Sequence, residues 1–435
     1  MTDSKRPFYS TAFFAFLGRS GGFVIPYVVA FFFGAGAHTD AFFLSFSIVN
    51  FIVLTVTYLL ESVLISWMVE RKNSPEALAK FSSGIMVWSF LGALACFAVG
   101  AVVLKPALLR WSGISEQAAV WTLKGYFLMG PLLLLGCSVS VANALFCAYK
   151  IFWFPAISPL IRTSLTILFL CLYHAGTGVE AAAWGLAAGE VLRWLATFYL
   201  LRKTTSWKFR FDWKSENPAV KEFFRHGFLQ ILALTAFNLL PLVDQLFSSR
   251  TGPGGISLYN YAERLVAVPN QLCIVSFVTI FHADWSEIHA QDGERVFWEK
   301  IRRDFARVFI LTAAIGGAFF LFRDPVVRLT LLRNNVAETE VEKVIGLFGW
   351  IVIGFAPMMI RFLCDRILYV LRQALFCLLY SWGHLFLKIA ANSFLVDRVG
   401  LSGVGISTAI LNFFIAAALL LYLKYLSGRK RAVLL

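Results

Sequence analysis

The chain has 435 residues, of which 59% are hydrophobic and 15% charged, with 44 phenylalanines and a mean hydropathy of +0.73. That balance excludes a soluble domain, in which about a quarter of the residues carry charge. The formal charge of +14 is explained by basic loops beside anionic lipid, so no nucleic-acid partner is called for.

Windows of about 20 apolar residues, enough to cross about 30 Å of hydrocarbon, recur about twelve times. The expected spans lie near 8–33, 41–66, 82–104, 119–147, 153–175, 180–201, 226–249, 257–283, 307–322, 344–370, 376–396 and 402–423. They are read as helices, because open strands would leave backbone groups unpaired in lipid and the runs are too long for barrel strands. The first run exceeds a signal-peptide core and shows no small-residue cleavage site, so it is read as a span. Lys and Arg gather in alternate loops, chiefly Arg202 to Arg225 and Arg295 to Arg307, which places both termini in the cytoplasm.

The basic segment 204–225 divides the chain into 1–203 and 226–435, each with six expected spans. Two echoes join the halves: Gly34 to Asp40 followed by Asn50, against Gly252 to Asn260 followed by Asn270; and Trp184-Gly-Leu-Ala against Val404-Gly-Ile-Ser. The predicted fold is an all-α polytopic membrane protein, about 12 transmembrane helices in two six-helix lobes with pseudo-two-fold symmetry.

Ionisable residues inside spans mark transport pathways, because each costs several kcal/mol unless it faces water or a partner. Arg19, Asp40, Arg264 and Lys388 are the clearest cases. Nothing suggests bond chemistry. There is no Walker-type phosphate loop, the six histidines lack ligand spacing, and the seven cysteines sit unpaired in or beside apolar runs, so no enzyme, metal or cofactor is expected. Asp284 and Glu287 read as a solvated helix end.

Several motifs together resemble the MurJ (MviN) family of lipid II flippases. They are Phe16-Leu-Gly-Arg19-Ser-Gly-Gly, Phe33-Gly-Ala-Gly-Ala-His-Thr-Asp40-Ala-Phe with Asn50, Phe154-Pro155, Asp244-Gln-Leu-Phe, and Ser257-Leu-Tyr-Asn-Tyr-Ala-Glu263-Arg264 with Pro269. The resemblance covers essentially the whole chain. It implies the multidrug, oligosaccharidyl-lipid and polysaccharide exporter superfamily, whose two lobes rock about a central cavity. It further implies movement of an undecaprenyl-pyrophosphate-linked glycan across the bacterial inner membrane. Arg19 and Arg264 match the family's cavity arginines and would grip the headgroup by forked, charge-assisted bonds. Asp40, Asn50 and Glu263 are read as gating or orienting residues. Positions matching a sodium site found in some members read Asp244, Lys388, Asn392, Val404 and Thr408. An ammonium at Lys388 would stand in for the cation and pair with Asp244.

The chain departs from the family at Ile25, at Val53 and Leu54 near Asn50, and at Ala267, where the family carries further arginines and an acid, and it stops short of two further spans. These departures point to a thinner positive charge and a related lipid-linked glycan. Besides lipid II, the readings left open are an exopolysaccharide or O-antigen repeat unit as substrate, a non-transporting scaffold for envelope enzymes, and a cation or drug antiporter. Coupling to membrane potential, protons or sodium is open. The expected partners are the polyprenyl-linked glycan, anionic inner-leaflet lipids and envelope-biosynthesis enzymes.

Overall fold

A computed structural model describes residues 6–111, 113–205, 207–211, 218–274, 294–331, 335–371 and 373–433, with Phe281, Trp285 and Ile288. His282, Asp284, Glu287 and His289 lie outside the described residues, as does the side chain of Arg19. Apart from the 3-10 turn Ser249–Thr251, the regular elements described are α-helices. The first nine are α1 (Arg6–Phe33), α2 (Ala37–Arg71), α3 (Pro75–Trp111), α4 (Glu116–Leu128), α5 (Gly130–Ala148), α6 (Trp153–Ile157), α7 (Pro159–Thr177), α8 (Glu180–Thr204) and α9 (Pro218–Ser248). They are followed by α10 (Gly255–Cys273), α11 (Glu294–Leu321), α12 (Arg323–Leu331), α13 (Glu338–Ile353), α14 (Phe355–Val370), α15 (Ala374–Val399) and α16 (Ser402–Val433).

Among the described residues seven helical stretches are long and apolar enough to cross a membrane, or eight if α13 and α14, bent by 43°, form one span. The all-α polytopic class is therefore established, while the number twelve is not reached on this measure. The helices α8 and α10 fall outside the set because polar and charged residues, among them Glu190, Arg193 and Arg264, lower their hydropathy. Such a helix is tolerated when neighbouring helices, rather than lipid, meet its polar face.

The chain packs as two compact units, Met1–Ser257 and Leu258–Leu435. These units describe packing; the lobe division at 204–225 concerns the repeat in the sequence. In the first unit α2 packs against α4, α5 and α9, and α7 lies along α8. Glycine allows the closest approaches. A Cβ at Gly18 would stand 1.9 Å from the Ala156 carbonyl oxygen, and one at Gly185 or Gly189 would stand 2.6 Å from the Cα of Thr166 or Arg162. One end of the unit is closed by a core of Leu64, Met68, Phe81, Phe146, Trp207 and Phe223, with the Arg71 guanidinium over the Trp67 and Phe81 rings at 5.0 and 4.8 Å.

In the second unit α16 packs against α13, α14 and α15, and α11 against α14. The Ala409 backbone and the Asn412 amide leave little room opposite Gly354, where an added Cβ would lie 3.0 Å from the Ala409 Cα. Arg328 ties α12 to α13 through Glu338 and Glu342 and also bonds Asp324 at 3.0 Å. The Glu338 and Asp324 carboxylates hold its guanidinium proton above the usual range.

Candidate functional site

Asp40 sits in the first turn of α2 and is 7% exposed. The turn before it is built by Gly34, at φ 65°, and by Gly36, whose N–H donates to the Thr39 hydroxyl at 2.8 Å. The Asp40 carboxylate accepts from the Gly254 N–H, the Ser257 N–H and the Ser257 hydroxyl, each at 2.7 Å. These donors belong to the glycine turn, Gly252 at φ 108° and Gly254 at φ 91°, and to the first residues of α10. A buried carboxylate is thereby matched to the orphan N–H groups of a helix start, which also favours negative charge. Asp40 is a latch between the start of α2 and the start of α10.

Below that latch α2 and α9 share a seam of amide–hydroxyl bonds. Gln245 donates to the Ser47 hydroxyl at 2.7 Å and Asn238 to the Thr55 hydroxyl at 3.0 Å. Asn50 lies on the same helix α2 between those two levels and is half-buried. Asp244 is buried on α9 beside Gln245, and its backbone carbonyl accepts the Ser248 hydroxyl at 2.8 Å.

Arg19 lies on α1 immediately after the Gly18 contact with Ala156. A second cationic group is formed by α7 and α8. Glu190, fully buried, is approached by Arg162 at 3.4 Å and Arg193 at 3.3 Å, and Arg193 also donates to the Ser158 hydroxyl at 3.1 Å. One carboxylate between two guanidiniums leaves a net positive charge inside the first unit. Its sequence signal was the charge itself, but Arg162 and Glu190 are 28 residues apart and only the helix packing unites them.

In the second unit Glu263 and Arg264 are neighbours on α10, with the Arg264 Nε 3.5 Å from a Glu263 carboxylate oxygen and side chains 25% and 35% exposed for Arg264 and Glu263. That Nε has no hydrogen-bond partner among the described residues. On α15, Lys388 is 3% exposed and its ammonium donates to the hydroxyls of Ser407, at 3.2 Å, and Thr408 on α16. Ser407 in turn donates to the Asn392 side-chain carbonyl. Lys388, Asn392 and Thr408 are thus brought together, with Ser407 as a member the sequence reading missed. Asp244 belongs to the other unit. A further buried pair joins Tyr380 of α15, donating, to Asp365 of α14. Among the described residues no three His, Cys, Asp or Glu side chains form a metal-ligand group.

A family model described as lipid II flippase MurJ matches residues 29–432. A lipid II flippase MurJ of Burkholderia cenocepacia is 23% identical over 97% of this chain and 83% of its own. A probable lipid II flippase MurJ of Borreliella burgdorferi is 21% identical over 91% and 78%. Among solved structures, a lipid II flippase MurJ in an inward closed conformation gives a TM-score of 0.81 at 17% identity, covering 95% of this chain and 87% of that one. An inward-facing multidrug resistance MATE family transporter gives 0.80 at 14%, covering 94% and 95%. The structural likenesses establish a fold common to flippases and drug exporters.

Proposed function

The chain belongs to the lipid II flippase MurJ family, a family of multi-pass membrane proteins, and from that premise we propose that it moves an undecaprenyl-pyrophosphate-linked glycan across the bacterial inner membrane by alternating access. The observation that carries the proposal is Arg264. A half-buried guanidinium on a polar helix, with an Nε lacking a hydrogen-bond partner among the described residues, suits a ligand that supplies acceptor oxygens. A diphosphate does so, and its desolvation is offset by forked, charge-assisted bonds. Arg19 is proposed as the matching ligand from α1.

A drug-antiport reading calls for acids open to cations. Four of the described buried carboxylates do not favour it: Asp40, Glu190, Asp304 and Asp365 each already meet donors or cations. At the cation position implied by the family, the hydroxyls of Ser407 and Thr408 accept from the Lys388 ammonium, which does not suit an added sodium ion. We therefore expect transport unchanged when sodium is replaced by potassium at equal ionic strength and membrane potential.

The route of the chain follows from the same reading. With α4–α5, α6–α7 and α13–α14 each taken as one broken span, and α12, at 9 residues too short to cross, left out, the helices would make twelve crossings with both termini in the cytoplasm. Six spans on either side of 204–225 would form the two lobes.

Complementation of a strain depleted of its essential lipid II flippase tests the function. Rescue by the wild-type chain, with loss of rescue by Arg19→Ala and Arg264→Ala at equal expression, is the expected result. No rescue by well-expressed wild type would move the substrate to another lipid-linked glycan. A deletion phenotype indifferent to both arginines would replace transport by a scaffold role for the basic loops.

A further inference from the structure

The first unit carries a groove on α3, α5 and α8 that the transport reading does not use. Its volume is about 870 Å³, within the usual range of small-molecule sites. Phe90 stands on α3, Leu135 on α5, and Trp194 and Phe198 on α8, while Trp207 closes one end. The polar atoms of these walls are already paired within the protein. The Trp194 indole N–H donates to the Ser138 hydroxyl at 2.9 Å, and the Trp207 indole N–H donates to the Ser82 hydroxyl at 2.8 Å. The Arg210 N–H donates to the Ser83 hydroxyl at 2.9 Å, fastening the segment after α8 against α3. Apart from the exposed Tyr199, what remains facing the groove along this length is ring and aliphatic surface.

The cations in the lining, Arg202 and Lys203, both lie at the end closed by Trp207. They are exposed, and neither has a carboxylate within ion-pair distance among the described residues. The nearby acid Glu76 is taken by Lys80 at 3.1 Å and Arg210 at 3.4 Å. The groove is therefore apolar along its length and positive at one end, the complement of an anionic amphiphile.

Length selects among amphiphiles. From Lys203 back to Trp194 the wall of α8 runs roughly 14 Å. One leaflet of hydrocarbon is about 15 Å deep, so acyl chains of ordinary length fit, whereas a polyprenyl chain of eleven units would extend far beyond. We propose that this groove binds an anionic diacyl phospholipid of the cytoplasmic leaflet, its phosphate between Arg202 and Lys203 and its chains against Phe90, Leu135, Trp194 and Phe198. The inference rests on the cytoplasmic placement of residues 202–225 and on nothing about the transported substrate. Burial of each methylene favours retention, and each cation near the headgroup adds to it.

The test uses the intact protein in mild detergent, with native mass spectrometry counting bound lipid after titration with phosphatidylglycerol or with phosphatidylcholine of the same chains. Wild type should retain phosphatidylglycerol in preference. Arg202→Gln with Lys203→Gln should weaken that retention about 30-fold while leaving phosphatidylcholine binding unchanged. Leu91→Trp, which fills the far end of the groove, should lower retention of both lipids. Arg302→Gln with Arg303→Gln removes the same charge from exposed positions on α11 and should change nothing.

Equal retention of the two lipids by wild type, or phosphatidylglycerol retention unaffected by the Arg202 and Lys203 substitutions, would overturn the proposal. Preferential retention of undecaprenyl phosphate over phosphatidylglycerol would overturn it in favour of a groove for the substrate's tail. Because the readout is lipid bound rather than lipid moved, failure here leaves the complementation result untouched, and failure there leaves this one.

Discussion

Asp40 shows how much one side chain can organise when its donors are backbone groups. Its three bonds to Gly254 and Ser257 satisfy N–H groups that the start of α10 cannot satisfy itself, and hydrogen bonds to a charged partner contribute about 1.5–3 kcal/mol each. Asp40→Asn places an amide donor where one of two oxygens accepted. Amide exchange over residues 252–258 should accelerate at least tenfold in the variant, measured by hydrogen–deuterium mass spectrometry, with little change in α7 or α8. Uniform protection in both proteins would remove Asp40 from the latch. The spacing of Asp40 and Asn50 after the glycine turn was legible in the sequence, and so was the acidity that marks a span as functional. Ser257 was visible only as part of a motif, because its role depends on a fold that returns it to a residue 217 positions earlier.

At the scale of elements, small residues decide how closely helices approach. Gly185 and Gly189 recur four apart on α8 and face backbone atoms of α7, which cannot rotate aside. Alanine at either position overpacks the contact, a change that typically costs 1–3 kcal/mol, and close packing through such residues is a main source of helix association in lipid. Gly176, on α7, has nothing within 4 Å of an added Cβ, and alanine there should be neutral or stabilising by up to about 1 kcal/mol. Thermal unfolding in detergent separates these cases: the melting temperature should fall for Gly185→Ala and Gly189→Ala and hold or rise for Gly176→Ala. The same close contact carries Arg162 to Glu190. Hydropathy located α7 and α8 as apolar runs, but periodicity alone does not say which faces of two separate helices meet. The short α6 and the break between α13 and α14 were hidden for a related reason, since a bend within an apolar run leaves its composition unchanged.

For the whole molecule, charge asymmetry carries the proposed orientation and packing gives the units. Single cysteines replacing Lys208 and Arg302 should react with a membrane-impermeant maleimide only from the cytoplasmic side, and cysteines replacing the exposed Glu116 and Glu338 only from the periplasmic side. Labelling of all four from one side would overturn the alternation of basic loops on which both the transport route and the lipid groove rest.

The sequence by itself determined the class of molecule, because an apolar composition with long uninterrupted runs has one stable outcome in a membrane, helices that satisfy their own backbone. Its motifs also carried the family, now shown by the match over residues 29–432. Only the tertiary structure decided which polar residues meet. Asp40 with Gly254 and Ser257, Arg162 with Glu190 and Arg193, and Lys388 with Ser407 and Thr408 are each joined across separate helices. The physical reason is that a buried charge is stabilised by whatever donor or acceptor the packing brings within about 3 Å, and such proximity depends on helix rotation and on the glycines that set helix distance, neither of which hydrophobic patterning records.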